Sequence, residues 1–186
     1  MSQGHEIPLS PAWQERLGER FSVDADSAFR ELEAEVVGGG GGALASSIGA
    51  WVLCCYGPDR LLPTAMAWAE DACEKAPDDP EIRHTAAWAY ASAESWEGAA
   101  RHLRLLLLNP AFVAEDLEDL AHLALKSVPS GSGERLLAVL EQSPQPLPAV
   151  VAALRLELGL EIAETWRAEA EALRAAYAAL EPSEGG

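Results

Sequence analysis

Apolar residues recur at helical spacing along nearly the whole chain, and the recurrence is cut only at glycine, proline and small polar clusters. Phe29, Leu32 and Val36 fall at i, i+3 and i+7, which places them on one face of a helix. Ser10-Pro11 supplies a capping serine followed by proline at the first helical position, a strong start for a helix over 11–21. A second helix follows from Ser22 or Asp24 to about residue 37. Further helical runs are predicted at 43–56, 61–76, 80–94, 97–108, 112–127, 133–142, 147–160 and 162–180. The breaks read GPDR, PDDP, ESWE, NP, SVPSGS and SPQP, all turn chemistry, with a further break near Gly159. Such short connections make successive helices pack as antiparallel hairpins. In the last run Ile162, Trp166, Leu173, Tyr177 and Leu180 share a face, with Glu164, Arg167, Glu171 and Arg174 off it at ion-pair spacing.

The chain of 186 residues is rich in alanine and leucine, which favours this all-helical reading. No apolar run reaches the roughly 18 residues that a membrane-spanning helix needs, so no membrane role is expected. The net charge of −17 is spread along the chain and repels phosphate backbones, which argues against nucleic acid as a partner. Cys54, Cys55 and Cys73 are odd in number and lack a C-x-x-C spacing, so neither a disulfide framework nor a zinc site is expected, and a cytoplasmic location with reduced thiols is the default.

Sliding the sequence against itself by 34 residues lays Tyr56 on Tyr90 and Ala65 on Ala99. A period near 34 with paired helices is the mark of a solenoid. The segment PEIRHTAAWAYASAESWEGAARHLRLLLLNP, Pro80 to Pro110, resembles a tetratricopeptide repeat. Ala86, Ala87, Tyr90, Trp96, Ala99, Leu103 and Pro110 stand at that motif's small, aromatic, large apolar and terminating positions. A copy over about 46–79 fits through Leu53, Tyr56, Ala65, Ala69 and Ala72. A degenerate third over about 114–146 fits through Leu117, Leu120, Ala121, Gly133, Leu137 and Leu140. The expected fold is an all-α, antiparallel helix-hairpin solenoid of about three such repeats, 43–146. A C-terminal helical hairpin or cap, 147–186, and an N-terminal helical arm, 1–37, complete it.

The resemblance implies a groove lined by the first helix of each pair. Carried over residue by residue, that groove presents Glu81, His84, Trp88 and Ser92 from the second copy. The first copy presents Cys54 with Ser47, Ala50 and Gly57, and the third presents Glu118 and His122 with Leu125. Members that grip acidic C-terminal tails are similar to one another in a Lys/Asn/Arg set, and here those positions hold Ala50, Cys54, His84, Trp88, Glu118 and His122. An apolar or basic protein segment, such as an amphipathic helix, suits this groove better. No catalytic motif is present, the four histidines show no metal-ligand spacing, and no catalytic residue, metal or cofactor is expected. The function that follows is a non-enzymatic protein–protein interaction scaffold, as a monomer or homodimer. The alternative is a chaperone similar to the tetratricopeptide class of type III secretion chaperones, which hold an aggregation-prone segment of a secreted protein.

Gly38 to Gly42, five consecutive glycines, should break any helix and act as a linker. A run of that length spans about 12 Å on average, so the stripe of Phe29, Leu32 and Val36 must find cover nearby. Residues 1–37 then either cap the first repeat or lie in the groove as a tethered partner, the glycines being a natural hinge or an introduced linker.

Overall fold

The computed structural model describes residues 8–38, 41–113 and 117–180. Among these residues the fold is all-α, with ten α-helices and no strand. Two compact units divide the chain between Ser95 and Trp96, inside the second repeat copy. Within each unit, helices joined by short connections lie side by side in neighbouring pairs, the helix-hairpin packing expected of a repeat solenoid.

The first unit holds α1 (Pro11–Val23), α2 (Ala25–Gly38), α3 (Ala43–Tyr56), α4 (Leu62–Lys75) and α5 (Pro80–Ser92), with a 3₁₀ turn at Asp59–Leu61. Each start has a local cause. Ser10 accepts the Trp13 N–H at 3.3 Å, ahead of proline at the first turn of α1. Asp24 accepts the Ser27 N–H at 3.0 Å and opens α2. Ser22 instead turns its hydroxyl onto the Glu19 carbonyl, so α1 runs on to Val23. Asp79 accepts the N–H groups of Glu81 and Ile82 and opens α5.

The arm belongs to the core of this unit. Trp13, Leu17 and Phe21 of α1 and Ala28, Leu32 and Val36 of α2 join one buried cluster with Val52, Leu53, Ala65, Ala69, Ile82 and Ala86. Phe29 stacks on Trp68 of α4, ring centroids 6.0 Å apart and planes 14° from parallel. Glu31 of α2 pairs with both Arg16 and Arg20 of α1. The closest approach is at Gly49 of α3, where a Cβ would lie 2.6 Å from Val36 Cγ2 and 2.8 Å from Trp68 Cε3. Only glycine lets α2 and α4 close on α3 from both sides there. Gly49 stands two residues before Trp51, about 200° around the helix, so the arm covers the side of α3 opposite Trp51.

The glycine run is ordered where it is described. Gly38 ends α2, Gly41 takes a left-handed φ of 59°, and Gly42 caps α3. Residues 39 and 40, the middle of the predicted linker, lie outside the described residues. Lys75 Nζ donates to the Gly41 carbonyl and to Asp71 Oδ2, each at 2.5 Å, and Ser46 Oγ donates to the same carboxylate oxygen at 2.6 Å. The chain entering α3 is therefore pinned to the last turn of α4.

The second unit holds α6 (Trp96–Leu108), α7 (Leu117–Lys126), α8 (Gly133–Glu141), α9 (Pro148–Glu157) and α10 (Arg167–Leu180). Leu106 of α6, Leu123 and Leu125 of α7, Leu136 and Leu140 of α8 and Leu154 of α9 are fully buried. Two predicted boundaries move. The helix expected from 112 starts at Leu117. Asn109 Oδ1 takes the Ala111 N–H at 2.9 Å and the Phe112 N–H bonds the Asn109 carbonyl, holding this stretch as turns. The helix expected from 162 starts at Arg167, after a 3₁₀ turn at Glu164–Trp166. Arg155 Nε donates to the Glu161 carbonyl at 2.9 Å and keeps the preceding segment out of helix. The last helix consequently buries Ala170 and Leu173, and Leu180, expected on the packed face, is 66% exposed.

Two outcomes test this packing. Gly49→Ala adds a methyl against a tryptophan ring and a valine methyl, an overpacking cost of about 1–3 kcal/mol that exceeds the roughly 1 kcal/mol gained in helix propensity. Gly18→Ala meets the Tyr56 ring, Cγ included, but that ring is 44% exposed and has more room to move, so urea melts should show both variants destabilised, Gly49→Ala the more. For Asp71, the hydrogen bonds from Lys75 and Ser46 hold the carboxyl below its ordinary value of 3.8. A carboxyl depressed on folding stabilises above its unfolded value and loses that stability as pH falls through the folded one. The stability gap between wild type and Asp71→Asn, measured by urea melts, should be constant above about pH 5 and shrink below 3.8.

Candidate functional site

Helix α3 carries no charged residue over its whole length, ALASSIGAWVLCCY. A helix without a polar face is expected to be covered on every side. One side of α3 is not. Leu44, Ile48, Trp51 and Cys55 recur at i, i+4, i+7 and i+11 and form one stripe. Leu44 is 66% exposed, Cys55 is exposed, and Ile48 and Trp51 are half-buried. Cover from α1 and α2 falls away from this stripe, where Gly49 meets Val36 of α2 and Tyr56 meets Gly18 of α1.

Beside this stripe lies α5. Trp51 and Trp88 meet edge to face, centroids 6.3 Å apart and planes at 90°. Trp88 Nε1 donates to His84 Nε2 at 3.1 Å, one turn earlier, which fixes the indole and leaves the imidazole proton on Nδ1. Glu81, Trp88 and Ser92 continue along the α5 face at i, i+7 and i+11. Glu81 is exposed and Ser92 half-buried. Because α3 and α5 are each antiparallel to α4, they run in the same direction, and their two stripes lie side by side as one apolar, aromatic face.

The structure brings together Glu81, His84, Trp88 and Ser92 on that face. It places Cys54 half-buried at the edge of the core, with Ser47 and Ala50 buried. The exposed stripe of α3 is thus rotated from the expected one by about one residue position, toward Leu44, Ile48, Trp51 and Cys55. A charge-free helix with that four-residue spacing is the signal that would have found Trp51. Of the arm residues, Leu32 and Val36 are buried and Phe29 is covered by Trp68.

Glu118 and His122 lie in the second unit. Glu118 is exposed in the first turn of α7. His122 is buried at 8% exposure, its ring 5.7 Å from that of Tyr177 of α10, and its Nε2 has no hydrogen-bond partner. Leu125 is also buried. His122 and Leu125 are therefore interior groups of their own unit. The same unit carries a shallow cleft of about 310 Å³ beside α9, lined by Val151, Arg155, Ile162 and Trp166. Arg155 there is already engaged by Glu141 and the Glu161 carbonyl.

Among the described residues no group of three or more His, Cys, Asp and Glu side chains is placed to hold a metal, and no helix is long and apolar enough to cross a membrane. The cysteines report the site's geometry. A thiol reagent should modify exposed Cys55 first and half-buried Cys54 more slowly. Cys73, 4% exposed, should react only on unfolding, as read by mass spectrometry of timed quenches. Compared with protein-family models, with curated proteins and with solved structures, the chain matches none.

Proposed function

We propose that this protein is a non-enzymatic interaction module of the tetratricopeptide type, docking a segment of a partner protein on the face shared by α3 and α5. The observation that carries this reading is the stripe of exposed Leu44 and Cys55 and half-buried Ile48 and Trp51 on a helix with no charge of its own. An exposed contiguous apolar patch is costly to keep and marks an interaction surface. Trp51 and Trp88 supply large, rigid anchors, and Glu81, His84 and Ser92 supply polar edges, the composition of a binding hot spot with a polar rim. Small residues at the helix crossings, with Gly49 on α3 and Ala65, Ala69 and Ala72 fully buried on α4, support the repeat-like packing behind the face. Cysteines in the thiol form fit a cytoplasmic setting.

The test is affinity capture with the full chain from cells that express it, comparing wild type with Leu44→Glu. Leu44 is 66% exposed, so its replacement leaves the fold intact, which circular dichroism checks. A partner recovered by wild type should be lost by about tenfold or more in the variant, as expected for a charge placed in an apolar contact. Equal recovery of every partner by both proteins removes the face from the function.

A further inference from the structure

Resting on that reading, we infer that the α3/α5 face takes a cationic amphipathic helix, with lysine or arginine flanking its apolar anchors. Three observations point to this charge. First, residues 1–95 carry 16 acids against 6 bases, so the first unit attracts cationic segments at long range. Second, the face carries a carboxylate and no lysine or arginine, and His84 there accepts the Trp88 indole N–H. Glu81 is exposed on it, and α3 has no charge at all. Arg83, the one arginine or lysine on α5, stands about 140° around the helix from Trp88 and donates to the Pro77 carbonyl at 3.0 Å. Third, α3 and α5 point the same way and neither has a basic residue in its last turn. Their carbonyl ends together favour a cation from outside.

The two tryptophans fit the same partner. Indole faces bind ammonium and guanidinium groups as well as aliphatic stems, so Trp51 and Trp88 can hold an apolar anchor and the basic side chain beside it. A helix is favoured because the stripes on α3 and α5 lie parallel, and an apolar helix face laid along them can meet both at i, i+3 and i+7.

The experiment uses three 18-residue peptides with leucine on one helical face and lysine, glutamine or glutamate on the other. Binding to the full chain is followed by tryptophan fluorescence and calorimetry. The lysine peptide should bind at least tenfold more tightly than the glutamine peptide, and the glutamate peptide should bind most weakly. Raising salt from 50 to 500 mM should reduce the lysine advantage several-fold. Glu81→Lys should weaken the lysine peptide about three- to tenfold more than it weakens the glutamine peptide. Leu44→Glu should weaken both, although it adds an acid, which separates docking on this face from diffuse attraction to an acidic protein. Equal binding of the lysine and glutamine peptides overturns the inference while leaving the docking reading intact. Binding of neither, or lysine-peptide binding unaffected by Leu44→Glu, overturns it together with its site. Concentration-dependent self-association abolished by Leu44→Glu assigns the face to a second copy and overturns it as well.

Discussion

The crossing at Gly49 is the constraint on which the first unit depends. Val36 of α2 and Trp68 of α4 reach α3 at one point from two helices, with room there for a hydrogen and nothing larger. That contact sets how close the arm lies, and with it whether Leu32 and Phe29 are covered. It also fixes the rotation of α3 about its axis. With Gly49 turned toward Val36 of the arm and Val52 and Leu53 in the core, Leu44 and Cys55 face outward, and Ile48 and Trp51 between them stay half-buried.

The glycine run follows from the same geometry. The chain leaves α2 at Gly38 and must enter α3 almost at once. Gly41 at a left-handed φ turns it, and Lys75, held by Asp71, anchors its carbonyl. Three groups of two helices thus share one polar clamp at the point where the glycine run meets the packed helices. Asp71 is the centre of it, since it accepts from both Ser46 and Lys75. Such a clamp at a partly exposed position contributes modestly to stability, and its larger effect is on register: it sets where α3 begins along α4.

Helix existence was legible from periodicity and breakers because those signals are local. Asp79-Pro80 and Ser10-Pro11 name their own helix starts. Boundaries that depend on a side chain reaching a distant carbonyl were not legible: Arg155 holding Glu161 out of helix has no signature in 147–180 read alone. The same holds for the candidate site. Glu81 and Trp88 were placed on one face of α5 because the resemblance to a tetratricopeptide repeat implies which side looks outward, and helix spacing alone puts them together. Trp51 was not placed beside Trp88 because that resemblance, laid on α3, implies the rotation seen in regular arrays, whereas here Gly49 faces Val36 and Trp68. His122 was misjudged for a related reason. A histidine on an amphipathic helix reads as surface, and only the packing of α10, which brings Tyr177 to it, makes it interior.

The arm decides what kind of surface remains. Had α2 lain along Trp51 and Trp88, the five glycines would have tethered a ligand and the exposed face of α3 would be filled. Instead the arm buries its own stripe on the far side and joins the core, so removing it would open the cluster of Leu17, Leu32, Val36 and Leu53. A charge-free helix thereby gains cover on one side and keeps an apolar stripe on the other. Covering both would have been the more stable solution for an isolated protein, since each large apolar side chain fully withdrawn from water contributes about 1.5–3 kcal/mol. A helix that is finished on the side of the arm and only partly covered on the side of Trp51 and Trp88 suits the proposed docking surface: enough rigidity behind the aromatic pair to hold it in place, and no described residue of the arm competing for its face.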